Sequence, residues 1–413
     1  MFFKGSQADF KTEIRIQEVA MTLPLTGIRI LDLTRMAAGP FCTQILADFG
    51  AEVIKIETRN GGDGSRHEWP RIDGVGANFY TMNRNKKSLT LDLQKEDGKK
   101  VFTRLAAASD VIIEQFRPGV MQRLGLDYEC LKEVNPRIIY CALTGYGSTG
   151  PLSQEPGHDI NFLNLSGVTD LSGEAGGPPV IADMQIAALA GGGLNAALAV
   201  LLAVIHRNNT GIGQYCDVSM LDGTVQLLAW TLGIWSGLGE IPKRGENQLS
   251  GGYACYHLYR TGDDKYVGLG AHEPKFWGEF CEKICHPEMA DWQWTVEKQE
   301  EAKTIVADIM AGKTRDEWTQ ILGGSGLCFT PVQNLAEMAA HPQIAARSMI
   351  MNMENFRQTG KNLIMTGVPI KLSESPGEVV LQFPELGGHA KDLLVSLGYS
   401  DEEVEQLQRD KVI

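Results

Sequence analysis

Two apolar runs separated by a helix-like segment, all near the start of the chain, constrain its fold more than any other feature. Residues 28–33 and 52–56 are rich in Ile, Leu and Val, as buried strands are, and residues 41–49 have the apolar spacing of an amphipathic helix. Two strands joined in this way form a βαβ unit, whose crossover is expected to be right-handed and parallel. The alternation continues with a helix over 98–108 and strands over 111–113 and 138–143. The pattern therefore predicts an α/β protein with a Rossmann-like parallel sheet.

The turn after the first strand excludes one function that this kind of fold often supports. Residues 36–40 read Met-Ala-Ala-Gly-Pro, without the G-x-G-x-x-G pattern that holds a dinucleotide pyrophosphate. A nicotinamide or flavin oxidoreductase is therefore not expected.

The length, charge and cysteine content of the chain set further limits. A chain of 413 residues is too long for one ordinary core, so two domains are expected. A net charge of −13 argues against non-specific binding to nucleic acid. The longest apolar stretch, residues 196–205, is too short to span a bilayer, and the eight cysteines lack a metal-binding spacing. With no recognisable signal peptide, we expect a cytoplasmic protein with reduced thiols, no metal and no membrane association.

Changes in composition indicate where the domains divide. Residues 1–25 carry mixed charges and are predicted to be an N-terminal extension, and residues 26–228 are assigned to the first part of a large domain. A glycine-rich stretch follows Trp230, so a smaller domain is assigned to residues 229–354. Residues 191–205, three glycines followed by Ala, Leu and Val, are predicted to form a fully buried helix.

Several short motifs occur in a characteristic order between residues 26 and 413. They are Phe-Arg-Pro-Gly at 116–119, Gly-His-Asp-Ile-Asn at 157–161, the triple glycine at 191–193, Gly-Ile-Gly-Gln at 211–214 and Gly-Gly-His at 387–389. Together they resemble the family III CoA-transferases, which include the α-methylacyl-CoA racemases. The resemblance implies a smaller α+β domain, an interlocked dimer, and a linker and return to the large domain over residues 355–413. It also implies an acyl-CoA and a carboxylic acid as substrates, with no prosthetic group.

The chain departs from this family at the residue that carries the chemistry. Counting back from the glycine run, the position of the family aspartate is occupied here by Ala188, whose side chain is only a methyl group. A carboxylate suits CoA transfer because it can both attack a thioester and leave again. The nearest carboxylate, Asp183, precedes this position by about five residues, or roughly 15 Å of extended chain. Racemisation beside a thioester carbonyl needs an acid/base pair on opposite faces of the substrate α-carbon. The resemblance implies that in the racemase branch this pair is a histidine matching His158 and the family aspartate, and that a glutamate matching Glu273 supports the histidine.

Each candidate has a structural alternative. His158 can be a hydrogen-bonded turn residue, and Asp183 a loop or cap residue. Asp159 is expected to cap a helix that starts near Asn161. Glu273 can be a glutamate at a helix start beside Pro274. The triple glycine can bring backbone close to a thioester or permit close helix packing.

The resemblance also predicts contacts with CoA. The matching positions are Ala37, Thr58, Arg59, Leu91, Gln115, Phe116, Arg123, Leu124, Tyr146, Gly191 and Gly192. Among them, Phe116 would pack on the nucleotide or the pantetheine arm, and Arg123 would pair with a phosphate. Because CoA is an anion and the chain is acidic, the site needs a local basic patch.

Four functions remain open. The first is a CoA-transferase subunit whose nucleophile comes from a paralogous partner chain. Some members of the family, such as benzylsuccinate CoA-transferase, are built from two related subunits, and a homodimer is the alternative assembly. The second is an active transferase or α-methylacyl-CoA racemase working through Asp183, or through His158 and a substitute base. The third is an enzyme in which alanine has been substituted for the aspartate at position 188. The fourth is a CoA-binding protein without catalytic activity.

Overall fold

The computed structural model describes residues 23–413, so the predicted extension at 1–25 lies almost entirely outside the described residues. The strands are β1 (Arg29–Leu33), β2 (Glu52–Glu57), β3 (Arg71–Ile72), β4 (Val75–Gly76), β5 (Lys86–Thr90), β6 (Val111–Glu114), β7 (Ile139–Thr144), β8 (Tyr215–Ser219), β9 (Tyr256–Arg260), β10 (Tyr266–Gly270), β11 (Phe329–Pro331), β12 (Ile350–Met353) and β13 (Leu363–Thr366).

The α-helices alternate with these strands through the first half of the chain. They are α1 (Ala38–Asp48), α2 (Ala77–Met82), α3 (Glu96–Ala107), α4 (Val120–Leu124), α5 (Tyr128–Val134), α6 (Asp159–Ser166), α7 (Val168–Leu171), α8 (Asn195–Thr210), α9 (Met220–Gln226), α10 (Ala229–Leu238), α11 (Pro274–Lys283), α12 (Gln299–Met310), α13 (Arg315–Leu322), α14 (Leu335–Ala340), α15 (Pro342–Ala346), α16 (Ala390–Ser396) and α17 (Asp401–Arg409). A π-helical segment, Ala187–Leu194, runs directly into α8.

The central sheet confirms the predicted α/β class. Six parallel strands lie in the order β5-β2-β1-β6-β7-β8, and the βαβ unit predicted from residues 28–56 is formed by β1, α1 and β2. The chain moves outward in one direction from β1 to β2 and β5, and in the other direction from β6 to β7 and β8. The sheet therefore has a topological switch point between β1 and β6, where open α/β sheets tend to bind ligands.

Helices cover both faces of this sheet. On one face, α1, the π-helical segment and α8 share an apolar core with alternate side chains of the strands. On the other, α3, α5, α16 and α17 pack against the remaining strand side chains, so residues 390–413 lie beside elements from the first third of the chain. Burying both faces explains why the strands read as nearly continuous apolar runs.

Residues 254–329 have a core of their own. The antiparallel strands β9, β10 and β11 pack with α11, α12 and α13 around buried aromatic residues that include Trp277, Phe280 and Trp318. A further small cluster joins α2 to β13. The division into domains at 229 and 354 stays a prediction.

The apolar helix after the triple glycine differs from its prediction. It was expected to be fully buried, but Leu194, Leu198, Leu202 and Ile205 are each about half exposed, at 49–59%. These residues are three or four positions apart, so they form one stripe, while the opposite side of the helix packs on the sheet. The helical stretch Ala187–Thr210 has 24 residues, which is longer than the apolar run suggested and long enough to span a bilayer. Half of its most apolar 18-residue window is buried within the protein. A core helix has the same properties, so the feature is only weak support for a membrane span.

Candidate functional site

A cavity of about 270 Å³ opens at the switch point of the sheet. Its walls are the turn after β1, the loop after β6 and the loop after β7, closed by side chains of α6 and α9. Arg35, Gln115 and Tyr146 come from the three strand ends. Each strand of a parallel sheet delivers its next loop to the same edge, so residues far apart in the sequence meet here.

The polar groups of the cavity suit an anionic ligand that also carries amide groups. Arg35 lies over the ring of Phe116 at 5.6 Å, and Arg117 is exposed on the cavity wall. The exposed carboxylate of Glu155 also lines the cavity, but neither arginine forms an ion pair with it or with any other residue in the range 23–413. The buried Oε1 of Gln115 has no hydrogen-bond partner among the same residues. A ligand N–H would satisfy this oxygen, and a phosphate would find two guanidinium groups nearby.

A buried carboxylate shapes the loop that carries three of these residues. Glu114, the last residue of β6, is 7% exposed, and its Oε2 accepts a hydrogen bond from the amide of Phe116 at 2.6 Å. Burial raises the pKa of Glu114 to about 7, although the amide partly offsets this effect.

A second buried network holds the turn after β1. Lys55 contacts Asp63 at 2.8 Å and donates to the carbonyl of Thr34, and Asp63 in turn accepts from the amide of Met36 at 3.0 Å. Met36 has a φ of 67°, which is unusual for a residue with a side chain, so these bonds hold the turn in a strained conformation. The turn bears Arg35 at its start.

The same network continues to the neighbouring strands. Lys86 pairs with Asp32 at 3.2 Å, and both side chains are fully buried. Burial would raise the pKa of Asp32, but Lys55 and Lys86 outweigh it and hold that pKa below its usual range. Desolvation lowers the pKa of Lys86 to about 8, against the attraction of Asp32.

The triple glycine is required for close packing. A Cβ on Gly191 would lie 2.6 Å from the hydroxyl of Thr224, and one on Gly192 would lie 2.9 Å from Met220. On Gly193 it would lie 2.8 Å from the carbonyl oxygen of Ala38. These contacts join the start of the helix to α9 and to the first residue of α1, so close helix packing is sufficient to explain the triple glycine.

Ala188 lies at the first turn of this helix and is 9% exposed. Its amide donates a hydrogen bond to Oδ1 of Asp159 at 2.8 Å. The expectation for Asp159 was therefore wrong: α6 begins at Asp159 itself, with His158 as its N-cap, and the Asp159 carboxylate caps the helix of Ala188 instead. Desolvation raises the pKa of Asp159, and the amides of residues 187 and 188 act in the opposite direction.

The other predicted catalytic residues occupy different surroundings. His158 is exposed beside Asp159, with its backbone amide bonded to Asn161 at 2.9 Å. Asp183 is exposed, and the carboxylate that contacts Ala188 belongs to Asp159. Glu273 is the exposed N-cap of α11, as its structural alternative predicted, and it does not line the cavity. The catalytic roles of these residues stay predictions.

Of the predicted CoA contacts, Gln115, Phe116 and Tyr146 line the cavity. The remaining predicted contacts do not line this cavity; they are Ala37, Thr58, Arg59, Leu91, Arg123, Leu124, Gly191 and Gly192. The guanidinium of Arg59 donates to the carbonyl oxygen of Ile413 at 2.8 Å, and Leu91 is buried in the core. Leu124 lines a separate surface cavity of about 560 Å³ beside α3.

Sequence reasoning missed Arg35, Arg117 and the carboxylate of Glu114. All three lie at the ends of the observed strands β1 and β6 or within the next three residues, so the strand-end rule for parallel sheets could have found them. No cluster of three or more metal-ligating side chains is found in the part of the chain from residue 23 onward.

The structure is thus an α/β protein with a cavity at the carboxyl edge of its parallel sheet, the edge where such folds bind ligands. The model of CoA-transferase family III matches residues 25–390, and the chain belongs to this family. It is 36% identical to human alpha-methylacyl-CoA racemase over 396 residues, covering 95% of this chain and 98% of that protein. It is 32% identical to the beta subunit of succinyl-CoA–L-malate CoA-transferase from Chloroflexus aurantiacus, covering 95% and 98%.

Solved structures agree with this assignment. A CAIB/BAIF family protein from Brucella suis superposes with a TM-score of 0.79 at 30% identity, covering 91% of this chain and all of that one. A hypothetical protein from Mycobacterium tuberculosis gives a TM-score of 0.76 at 31% identity, covering 90% and 99%.

Proposed function

We propose that this chain is a CoA-transferase subunit that binds an acyl-CoA thioester but does not itself supply the nucleophile. The observation that carries the proposal is Ala188. The family aspartate is replaced by a methyl group, and the backbone amide beside it is bonded to Asp159. In this proposal a paralogous partner chain, with aspartate at the equivalent position, provides the attacking carboxylate.

The cavity supports binding of CoA. The two arginines suit its phosphates, the ring of Phe116 suits stacking, and the unpartnered Gln115 oxygen suits an amide N–H of the pantetheine arm. The chain has a net charge of −13, and two unpaired arginines against one exposed carboxylate, Glu155, leave this cavity with the local excess of positive charge that an anion needs.

The exposed stripe on α8 supports assembly with another subunit. Its four aliphatic side chains, Leu194, Leu198, Leu202 and Ile205, lie on one side of the helix, and α10 separately exposes Trp230 and Trp235. An exposed apolar stripe along one helix is typical of subunit interfaces. The same stripe suits a homodimer.

The test is to assay CoA transfer between an acyl-CoA and a carboxylic acid with the chain alone, the paralogous chain alone and both together. We expect this chain alone to be inactive and to raise the activity of its partner. Arg35→Ala and Arg117→Ala should each weaken CoA binding by about ten-fold, while Arg409→Ala, on the distant α17, should not. Full transferase activity of the chain alone would refute the proposal, and CoA binding without any active partner would favour the non-catalytic alternative.

A second candidate is an α-methylacyl-CoA racemase. It is favoured by the position of His158, exposed beside the Asp159–Ala188 contact, and by the identity to the human racemase. Racemisation exchanges the α-proton, so incubation of a 2-methylacyl-CoA in deuterium oxide should incorporate deuterium. Absence of exchange would exclude this candidate.

A further inference from the structure

One wall of the cavity is held in place by a single buried carboxylate. The bond from the Phe116 amide to Glu114 Oε2, at 2.6 Å, joins residues two positions apart and closes a tight turn at the end of β6. Gln115, Phe116 and Arg117 all lie in or directly after this turn and all line the cavity. The positions of the amide acceptor, the aromatic ring and one of the two arginines therefore depend on this bond.

The surroundings of this carboxylate leave its charge uncompensated. It forms no ion pair with any of residues 23–413, and its neighbours across the sheet are Leu33 on β1 and Ala142 on β7. The titratable groups that interact with it are Tyr140 and Cys141 on β7 and Tyr215 on β8, all with raised pKa values.

The charged groups on adjoining segments are three arginines, of which Arg117 lies in the same loop, and two carboxylates, Asp127 before α5 and Asp217 on β8, which act on the neighbouring tyrosines. Arg35, after β1, lies over the Phe116 ring, and Arg123 ends the neighbouring helix α4. The ionised carboxylate is a stronger acceptor for the Phe116 amide than the neutral acid. Burial brings its change of charge to about pH 7.

We propose that Glu114 is a positioning residue for the CoA site, and that its ionised form holds the loop 115–117 in the geometry that binds CoA. Binding should then tighten as the pH rises through neutrality. This inference rests on the proposed function, since it takes CoA as the ligand of the cavity.

The experiment measures the affinity for dephospho-CoA between pH 6 and pH 8 by calorimetry. This probe keeps the diphosphate and the pantetheine arm but lacks the phosphate monoester that titrates near pH 6, so the protein is the main source of any pH dependence. We expect the wild-type chain to bind about five-fold more tightly at pH 8 than at pH 6. Glu114→Gln keeps an acceptor oxygen but cannot titrate, and its affinity should change less than about two-fold over this range.

Two further variants separate positioning from a general loss of structure. Glu133→Gln removes an exposed carboxylate on α5 and should keep the wild-type pH profile. Glu114→Asp shortens the side chain and should bind more weakly at both pH values while keeping a pH dependence. An unchanged slope in Glu114→Gln, or tighter wild-type binding at pH 6, would overturn the role of Glu114 alone. Failure of the wild-type chain to bind dephospho-CoA at either pH would overturn the proposed function as well.

Discussion

Restoring the family carboxylate by Ala188→Asp tests directly whether the missing carboxylate is what keeps this chain from transferring CoA. Position 188 is at the start of a helix, where backbone amides stabilise negative charge, and its own amide already binds Asp159 at 2.8 Å. Losing a nucleophile typically costs at least about 10⁴-fold in turnover, so the aspartate should raise the transferase activity of the isolated chain by several orders of magnitude. The matched control is Ala188→Asn, which has the same shape but cannot attack a thioester.

The structure also sets a cost for this change. The new carboxylate would lie roughly 4–7 Å from that of Asp159, from bond lengths and the observed contact. At an effective dielectric constant near 20, two such charges repel by roughly 3 kcal/mol. Because Asp159 is only half-buried, we expect a loss of about 1–2 kcal/mol in unfolding free energy relative to Ala188→Asn.

The assay follows the formation of the new CoA ester by liquid chromatography, with urea unfolding on the same samples. Trapping a CoA thioester on the protein would identify the aspartate as the reacting group. If Ala188→Asp is folded, binds CoA like the wild type and is no more active than Ala188→Asn, then the alanine is not what prevents catalysis.

Three further predictions concern stability and assembly. Asp32→Asn removes the buried partner of Lys86 and should lower the unfolding free energy by about 3–5 kcal/mol, and a loss below about 1 kcal/mol in urea titrations would contradict this. Glu114 has a pKa of about 7 in the folded state, against the ordinary value of 4.5 that applies to the unfolded chain. Between these two pH values the folded state therefore holds a proton that the unfolded state has released. Stability should therefore fall by up to about 3 kcal/mol as the pH rises from 4.5 to 7, and Glu114→Gln should abolish that slope in denaturation measured across this range. Leu198→Glu and Leu202→Glu, on the exposed stripe of α8, should leave the fold intact but prevent subunit assembly, so an unchanged elution volume in size-exclusion chromatography would count against this interface.

Much of the large α/β layer could be predicted from the sequence. The periodicity of residues 28–56 was enough for β1, α1 and β2, because a buried parallel strand must be apolar on both faces. The helix after the glycine run was also predicted, but its burial was not. The stripe that includes Leu198 and Leu202 is as apolar as the side facing the sheet, so composition alone could not distinguish them.

The sequence by itself determined the fold class, the family motifs and the absence of an aspartate at position 188, since these are properties of residue type and order. Only the tertiary structure decided which groups meet. It brought Asp159, at the start of α6, to the amide of Ala188, 29 positions away, because α6 packs on the π-helical segment. It brought Arg35 to the ring of Phe116 because a parallel sheet gathers distant strand ends at one edge. It also decided that Arg59 binds the carbonyl oxygen of Ile413, since such a contact depends on how the last helices pack and not on any local pattern.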